Sequence, residues 1–280
     1  MRSARAQREG APGDEVPRTR KKYGQHFLEP VWANKVVEVI APQPDDRFLE
    51  IGSGAGALTI PLASRVAELT AIEVDPQMVA TLRRRVPPNV RIVQADFLYV
   101  DLRSLLPPMG VRIAGNLPYN VSSPILFALL DAHKRHAGLI DATVMLQREV
   151  ADRIQARPGT RDYGVLSILI QLHADVRHRL SLPPGAFRPP PKVHSAVVSL
   201  RFRAPAVDVV DEAVFESMVK SMFTQRRKML TNALASFSAA RYRDTADALR
   251  DASIDPRRRP ETLQLEELAR LAAVFAAATR

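Results

Sequence analysis

The chain has 280 residues and no cysteine, and its 40 lysines and arginines against 30 aspartates and glutamates give a formal net charge of +10. A hydrophobic fraction of 46% suits a globular protein, so wholesale disorder, a collagen-like fibre and a disulfide-stapled scaffold are excluded. The basic excess favours a polyanionic partner, because each neutralised phosphate releases counterions, although a bias that only aids solubility is an equal alternative. With no apolar run of about 18 residues and no signal-peptide core in residues 1–22, we expect a cytoplasmic protein.

The predicted elements begin after a flexible basic tail over residues 1–22, which has too little apolar content to fold alone. Helices are then predicted over residues 32–40, 57–66, 76–86, 124–130, 148–156 and 165–173, and strands over residues 48–51, 69–74, 90–94, 111–115 and 140–146. This alternation predicts βαβ units and a mostly parallel, doubly wound α/β sheet.

The pattern changes after residue 163, where the helix over residues 165–173 is the first element. Residues 175–182 and 195–202 alternate like strands, which predicts an antiparallel hairpin at the edge of the sheet. Beyond a linker at residues 203–205, helices are predicted over residues 211–222, 227–237 and 263–278. We therefore expect a large first domain over residues 23–205 and a small all-helical domain over residues 206–280.

A glycine-rich loop follows the first predicted strand, in the order Gly52-Ser53-Gly54-Ala55-Gly56. Glycines let the backbone turn sharply, and the next helix is expected to present its N-terminal amides to a ligand. Glu73 stands 21 positions after Gly52, at a strand end where a carboxylate can accept both hydroxyls of a ribose. The pattern predicts a nucleoside-cofactor site; the alternative is a tight turn with Glu73 as a solvated charge.

Two cofactors suit this half-site, a nicotinamide dinucleotide and S-adenosylmethionine. Asp96 follows the strand over residues 90–94, where its carboxylate can accept a hydrogen bond from an adenine amine while Phe97 packs on the ring. This layout favours S-adenosylmethionine, although Asp96 as a turn cap is the alternative.

The segment Asn116-Leu117-Pro118-Tyr119 ends the fourth predicted strand. An exocyclic base amine is a poor nucleophile, and two acceptors, the Asn116 side-chain oxygen and a main-chain carbonyl near Leu117 and Pro118, can draw its nitrogen toward tetrahedral geometry. Proline stiffens the loop, and Tyr119 offers a ring on which a base can stack. The segment predicts methyl transfer to a base amine by positioning.

Taken together, these segments resemble the ribosomal RNA adenine dimethyltransferase family, in particular its small-subunit branch of the KsgA/RsmA type. The matching segments are GQHFL (24–28), LEIGSG (49–54), IEVD (72–75), QADF (94–97), NLPYN (116–120), MLQREVA (145–151), FRPPPKV (187–193) and QRRK (225–228). The resemblance covers residues 23 to about 265. It implies a Rossmann-like class I methyltransferase fold and dimethylation of two adjacent adenines near the 3′ end of 16S ribosomal RNA, with S-adenosylmethionine as methyl donor.

The resemblance also assigns roles to individual residues. It implies cofactor contacts at Gln25, His26, Leu28, Gly52, Gly54, Glu73, Asp96 and Asn116, target-base contacts at Tyr119 and Phe187, and RNA contacts at Arg226, Arg227 and Lys228 at the start of a helix. Many family members carry asparagine where His26 stands. We expect no metal and a monomer whose partner is small-subunit ribosomal RNA or its precursor. The alternatives are a methyltransferase of large-subunit RNA of the antibiotic-resistance type, a dehydrogenase and a non-catalytic ribosome assembly factor.

Overall fold

A computed structural model describes residues 26–105, 110–135 and 138–277, so Gln25 and the predicted tail lie outside the described residues. The strands are β1 (Phe27–Leu28), β2 (Arg47–Ile51), β3 (Glu68–Glu73), β4 (Val90–Gln94), β5 (Val111–Asn116), β6 (Leu139–Gln147), β7 (Ala174–Leu182), β8 (Phe187–Arg188) and β9 (Ser195–Phe202). The helices are α1 (Pro30–Ile40), α2 (Thr59–Ala63), α3 (Pro76–Arg83), α4 (Leu102–Leu105), α5 (Ser122–Arg135), α6 (Arg148–Gln155), α7 (Val165–His173), α8 (Glu212–Phe223), α9 (Leu230–Ala233), α10 (Ala235–Ala239), α11 (Thr245–Asp251) and α12 (Leu265–Ala277). Short 3-10 helices span Phe97–Tyr99, Pro184–Ala186 and Pro260–Thr262.

The main sheet has the strand order β4-β3-β2-β5-β6-β9-β7. Strands β2 to β6 pair in parallel, whereas β9 runs antiparallel between β6 and β7. The predicted α/β fold with a mostly parallel sheet and an antiparallel hairpin at its edge is confirmed. Because β2 lies between β3 and β5, the carboxyl ends of all three strands meet at one edge of the sheet, where open α/β folds bind ligands.

Each face of the sheet is covered by apolar side chains of helices. On one face, Val37 of α1 and Leu62 of α2 pack with Phe48 of β2. On the other face, a larger cluster joins the sheet to α5 and α7 and continues into α8 and α12, where it includes Met218 and Phe275. The C-terminal helices therefore share this core, and a domain boundary at residue 205 stays a prediction. Within the described ranges, no helix has the length and apolarity that crossing a membrane requires.

Two helix predictions differ substantially from the structure, and two short helices, α4 and α11, were missed. The helix expected over residues 57–66 is only Thr59–Ala63, because turns at the glycine loop occupy the residues before it. The helix expected over residues 227–237 is split into α9 and α10, and residues 226–228 lie in the turn after α8 instead of beginning a helix. A hydrogen bond from Lys228 N to Gln225 O closes this turn. Helix α11 was not predicted, since it is short and polar apart from two buried side chains.

A two-stranded sheet of β1 and β8 joins the start of the described chain to the proline-rich segment. Leu28 pairs with Phe187, and Phe27 with Arg188. Glu29 N donates to Ala186 O at 2.9 Å, and the Glu29 carboxylate forms an ion pair with Arg188. We call this pairing of residues 26–29 with residues 186–189 the strand clamp. Strands of two residues carry no periodicity, so the sequence did not predict it.

Candidate active site

A cavity of about 280 Å³ opens at the carboxyl ends of β2, β3, β4 and β5. It collects nearly every predicted cofactor and base residue that the structure describes. These are His26, Leu28, Gly52, Gly54, Glu73, Asp96, Asn116, Leu117, Pro118 and Tyr119. Gln25 lies outside the described residues, and Phe187 does not line the cavity.

The glycine loop turns the chain sharply at the mouth of β2. Gly52 has φ +71° and Gly54 has φ +53°, in the region that favours glycine. A Cβ on Gly54 would approach the Phe27 ring to 3.4 Å, and one on Gly52 would lie 3.6 Å from Asn116 O. A side chain would therefore find ordinary contacts at both positions, and it is the positive φ that favours glycine there.

Glu73 is held in place by main-chain amides. Gly54 N donates to its Oε2 at 2.7 Å and Asp75 N to its Oε1 at 2.9 Å. Burial raises the pKa of the Glu73 carboxyl, and these amides oppose the rise because they favour the charged form. Each carboxylate oxygen keeps a second lone pair, so two hydroxyl groups can still be accepted.

Glu50 is a cavity residue that the site prediction missed. It is 1% exposed, between Ala71 of β3 and Ala114 of β5 in the sheet register, and it lines the cavity near the glycine loop. Burial raises the pKa of its carboxyl to about 8, with a smaller lowering by the Thr59 hydroxyl and a further rise from the charge of Glu73. The signal that could have found it is an acid inside the apolar run Phe48-Leu49-Glu50-Ile51.

Asp96 has a local structural partner and remains accessible. Its Oδ1 accepts from Leu98 N at 3.0 Å and so caps the 3-10 helix Phe97–Tyr99. The capping role considered as an alternative is therefore present. Its side chain is exposed at the cavity wall, and a capping carboxylate retains lone pairs for another donor.

The Asn116 amide has a fixed orientation. Its Nδ2 donates to His26 O at 2.8 Å, which turns Oδ1 away from this bond and leaves it to accept from another group. Leu117 N donates to Met145 O at 3.2 Å, and Val121 N donates to Pro118 O at 3.1 Å. Strand β6 and the turn before α5 thus hold the loop on both sides.

Tyr119 is held at its hydroxyl and on one face of its ring. The hydroxyl forms a 2.6 Å hydrogen bond with Ser195 Oγ, and burial raises its pKa. The His26 ring stacks on Tyr119 with centroids 5.4 Å apart and an interplanar angle of 27°. His26 Nδ1 donates to Pro189 O at 2.7 Å, because a carbonyl can only accept. The strand clamp therefore positions the residue that packs against Tyr119.

Phe187 lies in the apolar core. Its side chain is 1% exposed, and it packs in the same cluster as Leu28 and Val37. The structure thus places Phe187 in the core, which the sequence left as the alternative to a contact with the target base. A role in base binding stays a prediction, and it requires the ring to become exposed.

The three predicted RNA contacts differ from one another. Arg226 is engaged within the protein, since its Nε donates to Glu261 at 3.1 Å and its Nη2 to Arg161 O at 2.6 Å. Arg227 and Lys228 are exposed, and neither forms an ion pair with another described residue. The geometry therefore leaves Arg227 and Lys228 as the two cations available to a phosphate. The described ranges contain no cluster of three acidic or histidine side chains that could hold a metal ion.

Comparison of the sequence with protein-family models gives a match to the family described as "Ribosomal RNA adenine dimethylase", over residues 16–276. Among curated proteins, the chain is 45% identical to "Ribosomal RNA small subunit methyltransferase A" of Geobacter metallireducens, over 91% of this chain and 94% of the relative. The protein of the same name from an Anaeromyxobacter species is 42% identical, over 91% and 92%.

Solved structures agree with this fold. A dimethyladenosine transferase from Plasmodium falciparum superposes with a TM-score of 0.75 at 22% identity, over 91% of this chain and 98% of that one. The 23S rRNA methyltransferase ErmE superposes with a TM-score of 0.65 at 28% identity, over 89% and 99%. The superpositions span both the sheet and the C-terminal helices.

Proposed function

Because the chain belongs to the ribosomal RNA adenine dimethylase family and is a methyltransferase, we propose that it dimethylates two adjacent adenines near the 3′ end of small-subunit ribosomal RNA. S-adenosylmethionine is the proposed methyl donor, and the reaction belongs to small-subunit biogenesis. The observation that carries this proposal is the orientation of Asn116, whose amide nitrogen is bound to His26 O while its oxygen is left for a base amine.

The residues present fit S-adenosylmethionine. Glu73 keeps one lone pair on each oxygen for the two ribose hydroxyls, and Asp96 keeps acceptor capacity for the adenine amine. Gly52 and Gly54 leave room for close approach, and Leu28 lines the same wall. When bound, this cofactor supplies a sulfonium methyl group that a weak nucleophile can attack.

The base amine is positioned by two acceptors. We assign Asn116 Oδ1 and the Leu117 carbonyl, since the Pro118 carbonyl is turned toward Val121 N at the start of α5. Two such hydrogen bonds orient the amine lone pair toward the methyl group, and positioning of this kind can supply much of the rate enhancement. The methylated nitrogen then releases its proton to solvent, so no strong base is required.

The target base stacks on Tyr119. One face of the ring is covered by His26, so the base uses the other face. Stacking of a base on an aromatic side chain contributes about 1–3 kcal/mol. The proposal retains Phe187 as a second base contact only if its ring moves out of the core.

Arg227 and Lys228 contact RNA phosphates. Phosphate contacts supply affinity and orientation without base specificity, so these cations place the RNA while the cavity selects the adenine. We propose that the protein acts on the RNA within the small subunit or its precursor, as a monomer.

A second candidate substrate is large-subunit ribosomal RNA. It is supported by the 28% identity to a 23S rRNA methyltransferase over most of both chains. The identities of 42–45% to proteins named for the small subunit favour the first candidate.

The test uses purified protein, tritiated S-adenosylmethionine and separated ribosomal subunits from cells that lack this activity. Label in dimethyladenosine of the small-subunit RNA is expected. Label only in large-subunit RNA would replace the first candidate with the second. Cofactor binding without label in either RNA would contradict both substrates and point to a binding role in ribosome assembly.

A further inference from the structure

The loop between α10 and α11 carries a tyrosine whose ring takes no part in packing. The Tyr242 side chain is 100% exposed, whereas a tyrosine usually buries most of its ring. Its backbone has φ +52°, in the left-handed region that is unfavourable for a bulky residue. Such a conformation persists only where the surrounding structure enforces it, and it is concentrated at sites that bind ligands.

Main-chain hydrogen bonds fix the loop around this residue. Arg241 N and Arg243 N both donate to Ser238 O, at 3.0 and 3.1 Å. Tyr242 N donates to Ala239 O at 3.1 Å. The left-handed residue is therefore part of an ordered connection after α10, and the backbone sets the direction in which the tyrosine projects.

The two neighbouring side chains fold back onto the protein. The Arg241 guanidinium lies over the Phe237 ring, 3.7 Å from its centroid, and the Arg243 guanidinium forms an ion pair with Asp251. Neither of them covers the Tyr242 ring, which stays in solvent. A ring held in this way loses little conformational entropy when a partner binds it.

The surroundings of the ring favour a nucleotide base as this partner. Along the chain, Tyr242 is flanked by arginines and by the exposed Asp244, whereas the core of a protein–protein interface is apolar. A base needs only one face of an aromatic ring on which to stack. In an RNA duplex the neighbouring base pairs cover both faces of each base, so the matching nucleotide is an unpaired one.

The loop also lies near the two cations that are proposed to bind phosphates. Arg241 Nη2 donates to Ser217 Oγ at 3.4 Å, which places the loop beside the middle of α8. From Ser217 to the end of α8 at Phe223 is about 9 Å along the helix axis. Arg227 and Lys228 lie in the turn that follows this end. One single-stranded RNA segment can therefore reach both the cations and the ring.

We propose that Tyr242 stacks on an unpaired nucleotide of the RNA substrate, outside the catalytic cavity. The inference rests on the proposed function for the identity of the RNA. It adds a contact that contributes affinity through a base ring and does not touch the methylated adenine. Because this stacking neutralises no phosphate, its contribution should change little with salt, unlike that of Arg227 and Lys228.

Equilibrium binding to small ribosomal subunits from cells that lack the activity tests this contact. Tyr242→Ala should raise the dissociation constant about fivefold or more, and by the same factor at low and at high salt. Tyr242→Phe and Tyr242→Trp keep an aromatic ring and should stay within about twofold of the wild type. The matched control is Val210→Ala, which shortens another exposed side chain just before α8 and should bind like the wild type.

A glycine variant separates the ring from the backbone conformation. Tyr242→Gly removes the unfavourable left-handed side chain, so its melting temperature should rise by about 2 °C. Its affinity for the small subunit should fall as in Tyr242→Ala. A more stable protein that binds less tightly would show that the ring serves binding and not folding.

A photoreactive side chain identifies what the ring contacts. With p-azidophenylalanine at position 242, irradiation of the complex should attach the protein to small-subunit RNA. Attachment to a ribosomal protein instead, together with a loss of affinity in Tyr242→Ala, would overturn the assignment to RNA.

The outcomes distinguish this inference from the proposed function. Unchanged affinity in Tyr242→Ala, or an equal loss in Tyr242→Phe, would overturn the stacking contact and leave the proposed methylation standing. Binding that depends on the Tyr242 ring without methylation of small-subunit RNA would support the contact and overturn the proposed function. Failure of the wild type to bind small subunits would overturn both.

Discussion

The two ends of the cavity are built differently. At the cofactor end, Glu73 binds Gly54 N and Asp75 N, which lie 19 and 2 positions away in the chain. At the base end, Asn116 binds His26 O across 90 positions, and Tyr119 binds Ser195 Oγ across 76. The contacts of Glu73 thus lie within a short stretch around β3 and the glycine loop, whereas those of Asn116 and Tyr119 depend on remote segments. Mutations at the two ends should therefore have separable effects.

The largest effect is expected for Asn116→Ala. Removing the side-chain acceptor should lower kcat for RNA methylation by about 10³-fold, because loss of one positioned polar group at a reacting atom costs about 10²–10³-fold. The dissociation constant for the cofactor should change less than about fivefold, since the Glu73 contacts remain. Single-turnover methylation measures the expected loss of rate, and calorimetry measures the cofactor affinity. Normal turnover would contradict the amine-positioning role.

Glu73→Ala should produce the opposite pattern. Cofactor affinity should fall at least about 100-fold, because two charge-assisted hydrogen bonds to the ribose hydroxyls are lost and each contributes about 1.5–3 kcal/mol. The variant also leaves Gly54 N and Asp75 N without their carboxylate, so the melting temperature is measured alongside. Calorimetry that showed unchanged affinity would remove Glu73 from the site.

Tyr119 distinguishes stacking from hydrogen bonding at the base end. Tyr119→Ala should lower kcat/KM for RNA about tenfold or more, because a stacking platform for the base is lost. Tyr119→Phe keeps the ring and loses only the bond to Ser195, so it should stay within about threefold of the wild type. Equal losses in both variants would favour the hydroxyl over the ring as the important group.

The smallest effect is expected outside the cavity. Replacing Arg227 and Lys228 together by glutamine should reduce the slope of log affinity against log salt by about 1.4–1.8, or 0.7–0.9 for each phosphate contact. The matched control is Arg226→Gln, which removes bonds to Glu261 and Arg161 O. It should lower the free energy of unfolding by about 1 kcal/mol or less and leave the slope unchanged. A slope that fell only in the control would place the RNA contact at Arg226.

The features that the sequence predicted are mostly local. Gly52, Glu73, Asp96 and Asn116 each lie at or just after the carboxyl end of a strand, and parallel strands bring such residues to one edge whatever their sequence separation. The local alternation of apolar and polar residues was therefore enough to predict the sheet and most of the residues that line the cavity. The same reasoning gave the antiparallel pairing of β7 with β9.

The features that it did not predict depend on contacts between distant segments. The sequence pattern of residues 226–228 does not show that the Arg226 side chain binds Glu261. It therefore did not show that these residues form a turn instead of the start of a helix. Phe187 was as consistent with a base contact as with a core position, and only burial against β1 separates the two. Arg112 of β5 is a second example. It binds Asp46, just before β2, at 2.7 Å and Asp141 of β6 at 3.0 Å, and so it links three segments that are distant in the sequence.

The strand clamp includes residues 186–189, which the ribosome adds long after most of the cavity residues. The cavity can therefore be completed only late in translation. A nascent chain that has emerged as far as residue 150 already contains the glycine loop, Glu73, Asp96 and Asn116. It still lacks Pro189, which binds His26 across 163 positions, and Ser195, which binds Tyr119. Chain-terminated fragments released from translation before and after residue 195 should therefore differ in cofactor capture, because domains form progressively while closure of so long a loop comes late.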